Sequence, residues 1–403
     1  MKKAEILFLN NVAMEELGSG DIQAGMADVK KIYSLFNYKN EQGERVDKIT
    51  IPDKVVLRFG KDKQSEYTNG RINAMPGRVH ADDLEFAGIK WIGSGVHNYE
   101  LGYPRANALV ILNDPHTKLP ICIADGTAVS ATRTGASGGV AVELLSRKDS
   151  SVLTLCGAGV QGRTQLKAAV LSRPGLKQVY VYDKFPANAQ KYVGEMGPLY
   201  PDISFEAVTD EKLGESVSKS DIVITASTAD SPFIKAEWVT KGTLLVNISG
   251  NEMERGCVLI ADKTVVDFWE SVKHRNSSTI ARMSNDPDDK YQDFVPTAEV
   301  GEILNGQKPG RENDEEIIYY NPVGAGVLDM MIVYRCYELA KQKGEGQTLV
   351  LWEGDEYAAC LAKVAANSQD LQPLLIFAKR HLFPRGDFPN RANVLQLSAF
   401  GCC

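Results

Sequence analysis

The feature that most constrains this chain is a glycine-rich turn near its middle. An apolar run, Val152–Cys156, ends on Gly157-Ala158-Gly159-Val160-Gln161-Gly162, and a helix-like segment follows. Strand, tight turn and helix in that order open a dinucleotide-binding βαβ unit. The first glycine permits the turn, the second lets the backbone approach a pyrophosphate, and the third lets helix and strand pack. The helix N-terminus offers free N–H groups and the positive end of a dipole to the phosphates. Asp183 ends the next strand-like run, where a carboxylate takes both hydroxyls of the adenosine ribose. An acid there repels a 2′-phosphate and favours NAD, although the adjacent Lys184 keeps NADP possible.

The run continues as an alternation of strands and helices, which implies a parallel sheet covered on both faces. The strand-like segments are Val152–Cys156, Gln178–Tyr182, Ile203–Ala207, Asp221–Ala226, Leu244–Ile248 and Val265–Phe268. Thr225 and Ser227 follow a buried strand at the carboxyl edge, where the nicotinamide half of a dinucleotide lies, and both are candidate cofactor contacts. Upstream the pattern is different. Asp21–Phe36 has helical spacing, while Val55–Phe59, Ala106–Leu112 and Leu119–Ala124 read as strands, the last two closing a hairpin at Asn113-Asp114-Pro115. Thr132–Ser146 reads as a helix with a face of small residues, suited either to a close ligand or to tight helix packing. A late strand, Ile317–Tyr320, leads into a helix near Gly324–Lys343 that is expected to return to the first domain.

The expected fold class is therefore α/β. A Rossmann doubly wound domain spans 130–310, and a discontinuous mixed α+β domain for substrate and dimerisation spans 1–129 and 311–353. Residues 354–403 form a tail of unassigned role, with helix-like stretches at Tyr357–Asn367 and Leu371–Leu382. A length of 403 residues suits two domains. A net charge of -7 argues against nucleic acid or an acidic membrane as partner. No C-x-x-C pair and no metal-ligand spacing of histidines occurs, so no metal is expected. The opening residues carry no long apolar run, and no stretch reaches bilayer length, which gives a cytoplasmic, reduced protein as the expectation.

Three segments together resemble one family. GIKWIGSGVHNYELGYPRANALVILND, ADGTAVSATRTGASGG and LCGAGVQGRTQLKA are similar to ornithine cyclodeaminases and mu-crystallins, over about residues 1–353. The resemblance implies a homodimer and a small amino-acid substrate whose α-carboxylate is gripped by three basic residues. Matched to this chain they are Lys48, Lys90 and Arg133, with Lys90 also a catalytic candidate. It further implies that Gly324, in Asn321-Pro322-Val323-Gly324, contacts the cofactor. The family's catalytic aspartate follows the fifth strand of the dinucleotide domain. Here that turn reads Ser249-Gly250-Asn251-Glu252, so Asn251 stands in its place; Glu252 and Glu254 read as exposed loop charges that substitute only if the turn shifts. An amide takes no proton at neutral pH, which disfavours cyclodeamination. KWIGSGVHNYELGYPRA further resembles enzymes that oxidise N-(2-amino-2-carboxyethyl)-glutamate. The expected activity is thus NAD(P)-dependent oxidation or reduction at the Cα–N bond of an N-substituted amino acid. Ornithine or lysine cyclodeamination, cyclic ketimine reduction, and a mu-crystallin-like binding role are the alternatives.

Overall fold

The computed structural model describes residues 2–59, 70–229, 231–274, 278–285 and 294–354. The tail helices expected at Tyr357–Asn367 and Leu371–Leu382 lie outside them. Residues 2–7 and 347–354 belong to one compact unit, and the described residues within 8–346 form the other. In the first unit, β1 (Ala4–Leu9) neighbours β16 (Gln347–Trp352).

The larger unit holds two sheets. The first is antiparallel and contains β2 (Ile49–Thr50), β3 (Val55–Phe59), β4 (Gly70–Ala81), β5 (Leu84–Gly95), β6 (Ala106–Asn113) and β7 (Pro120–Asp125). The expected β6–β7 hairpin is present. The long β4–β5 hairpin is not obvious in the sequence, because Pro76 and two glycines interrupt β4. Pro76 falls between the residues of β4 that pair β3 and those that pair β2, the kind of position where a proline is tolerated. Glycines serve this sheet by letting the helix Gly326–Lys343 lie against it. A Cβ on Gly326 would come within 2.4 Å of the Met75 carbonyl, and Phe86 stacks on Tyr334 with ring centroids 5.2 Å apart.

The second sheet is parallel, in the order β10-β9-β8-β11-β12-β15-β13-β14. Its strands are β8 (Val152–Cys156), β9 (Gln178–Tyr182), β10 (Ser204–Val208), β11 (Ile222–Thr225), β12 (Leu244–Asn247), β13 (Lys263–Val266), β14 (Ala298–Glu299) and β15 (Ile318–Asn321). The order reverses between β8 and β11, which makes a crevice at their carboxyl ends. One strand departs from expectation. β15, grouped from sequence with the mixed domain, pairs with β12 and β13 inside the parallel sheet. Its four residues are all buried, as a central parallel strand requires.

The helix before β8 runs Thr127–Leu145, beginning five residues earlier than its periodicity suggests. Thr127, Val129 and Thr132 are weak helix formers, and packing overrides that propensity. Its small-residue face meets the helix Val160–Ser172: a Cβ on Gly139 would sit 2.7 Å from Ala168 Cβ. The small residues thus serve helix packing, and Arg133 lies within this helix.

Candidate active site

The glycine turn has the geometry its spacing predicts. Gly157 has φ +113°, and a Cβ there would lie 2.5 Å from the Ala226 carbonyl across the crevice. A Cβ on Gly162 would lie 2.1 Å from the Gly157 carbonyl, so helix and strand touch. Around Gly159 there is nothing within 4 Å. This glycine is kept small beside open space, as a backbone that must approach a pyrophosphate would be. No side chain caps the helix that starts at Val160, which is itself 56% exposed. Gln161 accepts a bond from Thr164. Asp183 Oδ2 accepts from the Ala158 amide at 3.0 Å, while its Oδ1 accepts from Phe185 N and Asn188 Nδ2. The acid is thereby held beside the turn, and these residues fit a dinucleotide.

Across the switch point, Thr225 differs from expectation. It is fully buried and donates to Asn247 Oδ1, so its side chain is spent inside the sheet. Ser227, two residues on, lies in the loop and donates through N and Oγ to Glu252 Oε1 at 2.9 and 3.1 Å. Glu252 is no exposed loop charge: it is 0% exposed. Gly250, at φ +95°, turns the chain after β12. Glu252 then points inward, and its Oε2 accepts from the Asn251 amide at 3.1 Å. Asn251 is also buried. Glu254 has a structural task, accepting from Ala236 N.

The basic residues divide. Lys90 faces the helix Gly326–Lys343, is 1% exposed, and donates to Asp329 Oδ1 at 2.6 Å and Ser130 Oγ at 2.8 Å. Arg133 Nε reaches the other oxygen of the same carboxylate at 3.1 Å. Two of the three expected cations therefore converge, on an acid that the protein supplies. Burial pulls the Lys90 ammonium down to about 8, against the pull of Asp329 and assisted by Arg133. Gly324, at φ +70°, packs on this guanidinium: a Cβ there would lie 2.4 Å from Arg133 Nη1. Its amide and that of Val323 are held by the buried Asp267, whose pKa burial raises.

Lys48 does not join them. Its ammonium sits 3.2 Å from Asp82 and 5.3 Å from the Tyr38 ring centroid. Its carbonyl accepts from His80 N, whereas Lys90 is opposite Met75. Five residues of β4 separate the two positions, about 17 Å of strand. The matching of Lys48 to a substrate cation is thus corrected, because the β4–β5 turn supplies its partner at the far end of the hairpin.

Sequence reasoning missed Asp329, although an acid inside the apolar run Val327–Val333 was the available signal. It also misjudged Glu252, and it passed over Asp267.

A mid-chain parallel Rossmann sheet with a glycine turn and an acid at its switch point defines a dinucleotide-binding protein. The chain belongs to the ornithine cyclodeaminase/mu-crystallin family, whose model matches residues 29–344. It is 32% identical over 349 residues to the N-((2S)-2-amino-2-carboxyethyl)-L-glutamate dehydrogenase of Staphylococcus aureus, covering 86% of this chain and 99% of that one. Among solved structures it resembles the Thermococcus litoralis Δ1-pyrroline-2-carboxylate reductase in complex with NADH and L-proline. That likeness has a TM-score of 0.72 at 31% identity, over 85% of this chain and 99% of that one. An archaeal alanine dehydrogenase dimer with bound NAD superposes with a TM-score of 0.73 at 31% identity, over 87% and 100% of the two chains.

Proposed function

We propose that this protein is an NAD-dependent dehydrogenase of an N-substituted amino acid. The observation that carries the reading is the pair of cations, Lys90 and Arg133, meeting on Asp329 in the same unit as a dinucleotide turn. The two dehydrogenases and the reductase named above, each at least 31% identical, support it.

In the oxidative direction the substrate Cα–H leaves with its electron pair and the N–H leaves as a proton, which gives a Cα=N imine. Water adds at Cα, and the C–N bond breaks to release a 2-oxo acid and an amine. When bound, NAD supplies the acceptor for the hydride. Arg133 and Lys90 hold the α-carboxylate, the guanidinium offering a planar fork and the ammonium a point charge. With Asp329 already bonded to both, a substrate carboxylate brings the cluster to two positive and two negative groups. Lys90, held near pH 8, is matched to proton transfer close to neutrality. Glu252 is the second proton carrier: Oε1 is committed to Ser227, while Oε2 accepts from Asn251 N alone among the described residues. It takes the role that sequence matching had left to Asn251, which orients the nitrogen or a water beside it.

The same reading includes a homodimer. On the sheet face opposite Lys90, register aligns Val55, Ala74, Trp91 and Leu109 in one row. Val55 is 68% exposed and Trp91 46%. Such an apolar face fits a second copy. The four described cysteines are unpaired and buried, which supports a reducing cytoplasm.

NADH formation is measured with N-carboxyalkyl amino acids, alanine, proline and ornithine, in wild type, Glu252→Gln and Asn251→Asp. The expectation is turnover of the N-substituted substrates, a fall of about 10²–10⁴ in kcat for Glu252→Gln, and little change for Asn251→Asp. Ammonia release from ornithine would mark a cyclodeaminase instead. NADH binding without turnover of any substrate would mark a binding protein.

A further inference from the structure

The face of the antiparallel sheet that carries Lys90 continues past it. Directly opposite residues share a face, and every second residue returns to it. Lys90, Ile92 and Ser94 therefore point the same way from β5, opposite Met75, Asn73 and Arg71 on β4. Arg58 on β3 is opposite Arg71. Arg105 joins them from the loop before β6, where its carbonyl accepts from Gly95 N and from Asn98 Nδ2.

These three guanidiniums are unusual in what they lack. Other arginines end on carboxylates, as Arg78 does on Glu85 and Arg335 on Asp28, or on main-chain carbonyls, as Arg173 and Arg311 do. Among the described residues Arg58, Arg71 and Arg105 have neither; desolvation lowers the pKa of Arg71, and the nearby charges of Arg58 and Arg105 lower it further. Like charges gathered without a counter-ion are destabilising unless an anion arrives. Between this cluster and Lys90, the side-chain oxygen of Asn73 is buried with no hydrogen-bond partner, so a donor is missing there.

We infer that Arg58, Arg71 and Arg105 form a subsite for a second carboxylate, at the far end of the substrate's Cα side chain, with Asn73 accepting a hydrogen bond from the substrate between the two ends. The inference rests on the dehydrogenase reading and narrows it to a substrate that yields a dicarboxylic 2-oxo acid. The spacing suits this. Ser94 lies four residues from Lys90, about 13 Å of strand, and long basic side chains reach inward from both ends of that span. An α-amino acid held at Lys90 and lacking such an arm does not reach the arginines.

The test compares pyruvate with 2-oxoglutarate as probes, by calorimetric binding to the NADH-loaded protein and by NADH consumption with an amine. Wild type should bind 2-oxoglutarate more tightly. Arg71→Gln should lose about 10- to 100-fold in affinity and KM for 2-oxoglutarate, the worth of one or two charge-assisted bonds. Its kcat and its pyruvate constants should stay unchanged, and Arg71→Lys should recover part of the loss. If Arg71→Gln weakens both probes equally, or neither, while pyruvate is still turned over, the subsite is refuted and the dehydrogenase reading stands. If wild type neither binds nor reduces either probe with any amine, both fall.

Discussion

Asp329→Asn perturbs the site at the point where its charges balance. The wild-type carboxylate is fully buried and bonded to Lys90 Nζ at 2.6 Å and Arg133 Nε at 3.1 Å. Removing one partner of a buried ion pair costs about 3–5 kcal/mol, because the other charge is left uncompensated. Lys90 already stands near 8 against an ordinary 10.5. That difference is worth about 3 kcal/mol against folding below pH 8. Between pH 8 and 10.5 the unfolded chain holds a proton on this lysine that the folded chain has shed, so wild-type stability from this group rises with pH across that window. Without Asp329 the group that raises the Lys90 pKa is gone, and the window extends to lower pH. Urea midpoints at pH 6, 7.5 and 9 should therefore show Asp329→Asn least stable relative to wild type at pH 6. Part of the loss should return by pH 9. Lys90→Met in the same chain should recover more than additivity allows. A deficit that is the same at all three pH values, or none at all, would refute the assignment of Asp329 as counter-ion to Lys90.

Gly159→Ala should leave thermal stability unchanged, since nothing lies within 4 Å of its Cβ position. It should weaken NADH binding at least about 10-fold by fluorescence titration, whereas Gly162→Ala, 2.1 Å from a carbonyl, should cost stability by about 1–3 kcal/mol or more. Asp183→Asn should weaken NADH about 10-fold and narrow its advantage over NADPH; tighter NADPH than NADH binding in wild type would overturn the role given to that acid. Trp91→Glu should convert a dimer to a monomer in light scattering, and an unchanged mass would place the interface elsewhere.

The parts legible in the sequence were those fixed by local chemistry. A strand, three glycines at fixed spacing and an acid at the next strand end need only a few dozen residues to be read, and the turn is where they put it. The β6–β7 hairpin was legible because Asn113-Asp114-Pro115 marks its turn. What escaped depends on contacts between distant residues. Lys48 looked as suitable as Lys90 until Asp82 was seen beside it, and Asp329 meets Lys90 across 239 residues of chain. Glu252 looked like a loop charge because inward burial hinges on the left-handed Gly250 and on Ser227 waiting beneath. β15 was misassigned for a related reason: four buried residues carry no mark of which sheet they enter.

That strand and the helix after it set the order in which the molecule can be finished. β15 lies between β12 and β13, so during synthesis the parallel sheet has a gap at its centre until residues 318–321 have left the ribosome. The antiparallel sheet waits equally long for its covering helix, Gly326–Lys343, and until that helix docks Lys90 and Arg133 have no Asp329 to face. Both halves are completed by one stretch of about 25 residues near the end of the described chain. A nascent chain stalled before residue 318 should therefore expose two unfinished sheets and two unneutralised cations, a species for chaperones to hold. Release of that whole stretch should close both halves in a single cooperative step.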